Sequence, residues 1–416
     1  MSNATLSVVI ATKIKSIVEN IQCRNNIASI LISREGMMKG ISGDGLNRRE
    51  YMTTMGLTGL AAFAAATPTA WADMSEITGD RFGYSYRKFS SDEIIKVAMI
   101  GTSGHTKLVL DGVGNETKTV FAGYARYDNT GVKIPAGTAI FDDYESMLDR
   151  LKPDVVGICL PYSENAQASI AAAERGIHIV TEKPVATTLD DLNRVLAAVT
   201  ANRVRLTAML AMRTEPRFLA VRESITRGDI GEPVLATAQK SYKFGDSRPE
   251  FYRREDTYGG TIPWVGIHAL DYIHFTTGLG YRQLAAFQGT MVHTDYPGCA
   301  DYAGVLLRMD NGGAAMVNID FLRPAAAPTH GDDGLRVIGA DGVIELKEVG
   351  QKVELITQTR EPRYLDLPEP VPFFADFVKE LRGQGTHIIP PQDPFEMTRV
   401  ALTAHQAAKA GKIVGL

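Results

Sequence analysis

The chain has 416 residues, enough for two domains that each bury a core, and its 44% hydrophobic and 22% charged residues match an ordinary globular protein. Its formal net charge of −4, with no basic stripe, excludes a nucleic-acid footprint. No metal-ligand spacing stands out, and no metal is expected.

In chain order, Asn47-Arg48-Arg49-Glu50-Tyr51-Met52 sets a twin-arginine pair before an apolar run, Met55–Ala66. Ala70-Trp71-Ala72 then reads as a small-x-small cleavage site. The run is shorter than the roughly 20 residues that a membrane span needs. The pattern resembles a Tat-type signal, with an uncleaved anchor or a core helix as the alternative. Residues 1–90 are therefore expected to be leader and linker, and the mature protein periplasmic or otherwise exported, without stable membrane insertion. Residues 1–36 precede a signal start at Met37 or Met38 and carry no motif. Cys23 would leave with the leader, and nothing supports a pairing of Cys159 with Cys299.

From residue 94, short apolar strands alternate with helical segments. Ile94–Ile100 runs into Gly101-Thr102-Ser103-Gly104-His105, and Val120–Ala125 reads as a second strand. Asp154–Leu160 is continuously apolar, as a strand covered on both faces should be. Helix Glu164–Arg175, strand His178–Thr181, helix Leu189–Thr200 and strand Val204–Met209 follow. This rhythm predicts a Rossmann-like α/β domain with a parallel sheet over residues 91–212. Beyond 213, helix Arg217–Arg227 leads into β-rich chain with hairpin signals at Asp310–Gly313 and Gly339–Gly342. An α+β domain over 213–416 is expected, built on an open, mostly antiparallel sheet. Late helices near 371–382 and 394–410 are expected to flank it and to pack back on the first domain.

The turn after the first strand should carry a dinucleotide, because glycines there let backbone N–H groups approach a pyrophosphate. In the register of G-x-G-x-x-G, Gly101 is kept, Ser103 and Thr106 replace the other glycines, and Gly104 could take over the close approach. His105 in this turn could contact phosphate or substrate. At the end of the second strand, Arg126 stands near the position where an acidic residue usually meets the ribose, with Asp128 two residues on. A guanidinium there suits the 2′-phosphate of NADP, so NAD and NADP both stay open.

Glu182-Lys183-Pro184 follows strand His178–Thr181 at its carboxyl end, where ligands bind in parallel sheets. A lysine there can donate to a sugar hydroxyl or relay a proton once partly desolvated. Gly259-Gly260 leads through Trp264 and Gly266 to His268 and Asp271, and His268 opens a predicted helix, His268–Phe275. Beside the lysine, His268 would be a second titratable group at the reacting carbon. His274 and His293 lack such a context and read as structural.

Together these motifs resemble the Gfo/Idh/MocA oxidoreductase family over roughly residues 92–410. The resemblance rests on Pro153-Asp154-Val155-Val156 into Pro161, Glu182-Lys183-Pro184, the Gly-Gly…Gly-x-His-x-x-Asp element at 259–271, and Arg217-Phe218 with Gly228–Pro233. It implies Lys183 and His268 as catalytic residues. Gly101, Ser103, Gly104, His105, Arg126, Pro161 and Glu182 would hold the cofactor. Trp264, Tyr258 and Asp271 would contact substrate, and Lys243 is a weaker substrate candidate. Two positions depart from the family. Trp264 stands where an aspartate often precedes the histidine, and could instead stack on a sugar's apolar face. Asn165 replaces a frequent histidine.

The expected function is NAD(P)-dependent oxidation of a sugar or sugar-like polyol, with self-association through the open sheet. Export adds a constraint, because no nicotinamide pool exists outside the cytoplasm, so the cofactor should stay bound and the hydride return within one cycle. A redox-assisted glycosidase or lyase and a non-catalytic carbohydrate-binding relative are the alternatives.

Overall fold

The structure, a computed structural model, describes residues 85–127 and 134–416. The twin-arginine pair, the apolar run, the cleavage site, Cys23 and Asp128 lie outside the described residues. No helix among the described residues is long and apolar enough to cross a membrane.

Six strands form the first sheet: β1 (Ile95–Ile100), β2 (Thr119–Ala125), β3 (Ala139–Phe141), β4 (Val155–Ile158), β5 (His178–Thr181) and β6 (Leu206–Ala208). They lie in the order β3-β2-β1-β4-β5-β6, and each neighbouring pair is parallel. Every residue of β4 and β5 is buried, which explains their unbroken apolar sequence. β3 and the helix Tyr144–Leu151 after it were not read from the sequence. The helix start is set by Asp143, whose carboxylate accepts from the Ser146 N–H at 2.7 Å. The helix Leu189–Ala201 begins the same way, with Thr188 Oγ1 accepting from the Asp191 N–H at 3.1 Å.

The second sheet contains β7 (Pro233–Tyr242), β8 (Tyr281–Gly289), β9 (Tyr302–Met309), β10 (Ala314–Asp320), β11 (Gly331–Gly339), β12 (Gly342–Lys347), β13 (Lys352–Thr357), β14 (Arg363–Tyr364) and β15 (Val414–Gly415). Their order is β14-β13-β12-β11-β7-β10-β9-β8-β15. Both expected hairpins form, β9 with β10 and β11 with β12, while β7 and β10 pair in parallel within an otherwise antiparallel sheet. One face of this sheet is buried and the other open, as the strict alternation along β9 shows. Leu306 and Met316 form an exposed cross-strand pair on the open face.

Two buried ion networks join the parts. Arg205, ahead of β6, gives Nε to Glu380 of the helix Phe373–Leu381 at 2.6 Å and Nη2 to the Ile389 carbonyl at 2.6 Å. Arg213 lies in a single turn after β6 and is about 1% exposed. It grips Asp271 of the helix Ile267–Thr277 at 2.6 Å and Asp393 of the helix Asp393–Ala410 at 2.5 Å. Removing one partner of a buried pair leaves an uncompensated charge, a loss of about 3–5 kcal/mol. Arg213→Ala is therefore expected to lower the denaturant midpoint by a loss of that size. The loss should narrow as pH falls, because the orphaned carboxylates then take up protons; a loss unaffected by pH would contradict this account.

Candidate active site

The carboxyl edge of the parallel sheet gathers five side chains from three chain segments. The turn after β1 supplies His105, the turn after β5 supplies Glu182 and Lys183, and the entry to the helix Ile267–Thr277 supplies Trp264 and His268. The glycine turn fits against this edge because Gly101 (φ +67°) and Gly104 (φ +100°) have no Cβ. A Cβ on Gly101 would overlap the Cys159 carbonyl, and one on Gly104 would overlap the Glu182 carboxylate. The close approach of Gly104 is thus to Glu182 of the protein itself. Ser103 donates its N–H to the Cys159 carbonyl at 2.8 Å, which pins the turn to the end of β4. Pro161 precedes a short turn, Tyr162–Glu164, at the same edge.

Glu182 is fully buried, yet its acceptor sites are used. Oε1 accepts the backbone N–H of His105 and lies 2.6 Å from His105 Nδ1, while Oε2 accepts the Lys183 N–H at 2.9 Å. Burial alone would raise the carboxyl pKa, but His105 and the Lys183 ammonium outweigh it and hold the group below its ordinary value.

Lys183 is about 1% exposed, and its peptide to Pro184 is cis. Its Nζ donates to the Trp264 carbonyl at 2.6 Å and sits 3.1 Å from the centroid of the Trp264 ring. Burial, reinforced by Lys240, pushes this amine down from 10.5 to about 7 against the opposing pull of Glu182. Trp264 lies in a turn of π-helix, Ile262–Gly266, a widened turn often found at functional sites.

His268 is fully buried, and neither ring nitrogen has a partner in the protein. Burial, then Lys183, Lys240 and His105, push it well below the ordinary imidazole value, so the ring is neutral at pH 7. Its ring stands edge-on to His105 at 6.0 Å between centroids. Buried polar atoms in native proteins are nearly always matched, so an unmatched imidazole at this edge fits a site completed by a ligand. The compact glycine turn and the parallel strands fit a dinucleotide at the same edge.

The substrate contacts read from sequence need correction. Asp271 is buried and both carboxylate oxygens are taken by Arg213. Tyr258 is a core residue, stacked on Tyr252 at 4.4 Å with its hydroxyl toward Thr261. Trp264 is not free to stack on a sugar. Its ring lies 3.7 Å from that of Tyr162 at 17°, and Lys183 Nζ, too close to share that side, occupies the other face. Lys243 caps the carbonyls of Ala325 and Ala327, and Arg126 pairs with exposed Asp142 at 3.2 Å. Asn165 accepts the Leu160 N–H at 3.1 Å and leaves Nδ2 buried without a partner. His274 and His293 contact the carbonyls of Leu279 and Phe321. Sequence reasoning missed Tyr162 and Lys240. Only the adjacency of Tyr162 to Pro161 hinted at the first, and nothing local marked the second.

This sheet order, with a lysine and a histidine at the carboxyl edge and an open second sheet, defines a two-part dinucleotide-binding oxidoreductase. Residues 95–209 match the oxidoreductase family with an NAD-binding Rossmann fold, and residues 218–345 match the GFO/IDH/MocA C-terminal domain. The chain belongs to the Gfo/Idh/MocA oxidoreductase family. A provisionally described oxidoreductase from Thermotoga maritima is 35% identical, covers 77% of this chain and 100% of its own, and superposes with a TM-score of 0.72. An uncharacterized oxidoreductase of Bacillus subtilis is 30% identical over 205 residues, 49% of this chain. The D-glucoside 3-dehydrogenase of Escherichia coli is 30% identical over 145 residues, 34% of this chain. The chain spans 58% and 40% of the lengths of these two curated relatives.

A buried ammonium destabilises the fold. With the folded value near 7 and the unfolded value near 10.5, the penalty is full below about 7 and fades as pH rises toward 10.5. Lys183→Met should therefore raise the thermal midpoint most at pH below about 7, with the gain shrinking through that window. A melting series across pH tests this, and a gain that grows with pH would contradict it.

Proposed function

We propose that the protein is an NAD(P)-dependent oxidoreductase that oxidises a secondary hydroxyl of a sugar or sugar-like polyol. The observation that carries this reading is the pairing of a lysine poised near neutrality with an unmatched, neutral histidine at the carboxyl edge of a dinucleotide-binding sheet. A bound nicotinamide dinucleotide supplies the acceptor for the electron pair of the carbinol C–H bond. The chain supplies position and proton handling. Neutral His268 can hold the hydroxyl through either nitrogen. Lys183 in its neutral form takes the hydroxyl proton, and a pKa matched to ambient pH suits that task. The Trp264 carbonyl aims the amine, and the buried Tyr162–Trp264 stack packs beside it. Likeness to a D-glucoside 3-dehydrogenase supports a carbohydrate as substrate.

Two further parts of the reading concern context. The twin-arginine pair supports export of a folded protein that keeps its cofactor, so the purified protein should release NAD or NADP on denaturation. The exposed apolar pair Leu306 and Met316, with Phe287 on the neighbouring strand, supports self-association through the open sheet.

A panel of sugars and polyols, read by the absorbance of reduced nicotinamide, tests the activity. Oxidation should rise with pH through about 7, where Lys183 loses its proton, and reduction should fall over the same range. Lys183→Ala should lower kcat by about 10²–10⁴-fold, the usual contribution of a positioned acid–base group. Lys183→Arg, which keeps the charge but cannot deprotonate, should be no better. Failure to bind either dinucleotide would overturn the reading.

A further inference from the structure

We propose that His105, oriented by Glu182, is the station through which the proton taken up at Lys183 and His268 reaches solvent; the inference rests on the oxidoreductase reading above. When a nicotinamide dinucleotide oxidises an alcohol, the C–H bond breaks and its electron pair passes to the dinucleotide. The O–H bond breaks as C=O forms, and one proton is left over in each turnover. It passes to solvent in the oxidation and is drawn back by the same route when the bound dinucleotide is reoxidised.

The groups at the site cannot release it directly. Lys183 is about 1% exposed, and His268 and Glu182 are fully buried. The hydrogen-bond partner of Lys183 is a backbone carbonyl, which accepts but carries no exchangeable proton. Both oxygens of Glu182 are engaged by donors. Among the residues facing this cluster, His105 combines contact with the interior and access to water: its side chain is 35% exposed while its ring is edge-on to His268 at 6.0 Å. A single water or substrate hydroxyl can bridge such a gap.

Its orientation suits a relay. An ionised carboxylate only accepts hydrogen bonds, so Glu182 fixes the proton of His105 on Nδ1 and leaves Nε2 as the basic nitrogen. A carboxylate that sets the tautomer of an imidazole serves the same end in serine hydrolases. Two titratable side chains contact His105: Glu182 on the turn after β5 and His268 on the helix after the π-turn.

His105 also clamps the glycine turn, since its backbone N–H and its ring both bond Glu182. The test must separate clamp from relay. His105→Asn keeps an N–H donor near the place of Nδ1 but has no basic nitrogen. Its kcat should fall about tenfold or more while dinucleotide affinity and KM hold, because the lost step is proton transfer. Added imidazole should restore the rate. The solvent deuterium effect on kcat should grow while the effect of deuterium at the carbinol carbon shrinks. A second readout needs no turnover: in nitrogen-labelled protein, the ring protons of His268 should exchange with solvent more slowly in the variant.

A normal kcat, a loss accompanied by weaker dinucleotide binding and unaffected by imidazole, or unchanged His268 exchange would each overturn the relay. The exchange measurement decides the route even if no polyol is oxidised. Failure to bind dinucleotide sinks the functional reading, whereas normal oxidation by His105→Asn sinks the relay alone.

Discussion

A carboxylate buried at the end of β5 must find donors, and the whole carboxyl edge of the first sheet is arranged around that demand. Glu182 takes the His105 N–H, the His105 ring and the Lys183 N–H. The first two bonds draw the turn after β1 over the end of β5, which only glycine at 104 permits. The third fixes the backbone from which Lys183 projects. One anion thus sets the shape of the cofactor turn and the base of the catalytic lysine, and its charge partly offsets the burial that depresses that lysine.

The lysine itself answers a second constraint. Where the family resemblance suggests a carboxylate four residues before His268, this chain has Trp264, whose side chain cannot accept a hydrogen bond from the ammonium. The backbone substitutes for it. The π-turn directs the Trp264 carbonyl to Nζ, and the indole offers its electron-rich face to the same cation. Neither acceptor carries a full charge, so burial dominates and the amine settles near neutrality. The substitution that put the chemistry in doubt at the level of sequence accounts for the tuning of the base.

The parallel sheet was legible because each strand is a local apolar run between turn residues, and Glu182-Lys183-Pro184 because its position at a strand end follows from that sheet. The hairpins at 310–313 and 339–342 were legible for the same local reason. The pockets of error share a different cause. Asp271 and Tyr258 sit close in sequence to His268, and proximity suggested a shared site. Their fates are settled by Arg213 and Tyr252, residues distant along the chain or unmarked by any motif. Trp264 read as a free aromatic until Tyr162, about a hundred residues earlier, was found against its face. Local patterns locate elements and edges; which side chains remain unclaimed there depends on long-range partners that periodicity does not encode.

That distinction also separates framework from function. The Arg213 and Arg205 networks lie off the site and are satisfied: each guanidinium meets carboxylates at 2.5–2.6 Å, and such closure favours one packing of helices against sheet. At the carboxyl edge the same chain accepts a lysine stripped of water and an imidazole with two unmatched nitrogens. A fold under selection for stability alone would replace both with apolar side chains. A desolvated amine and an imidazole with no protein partner on either nitrogen thus sit together at one edge, where a bound ligand would complete them, beside the partly exposed imidazole of His105.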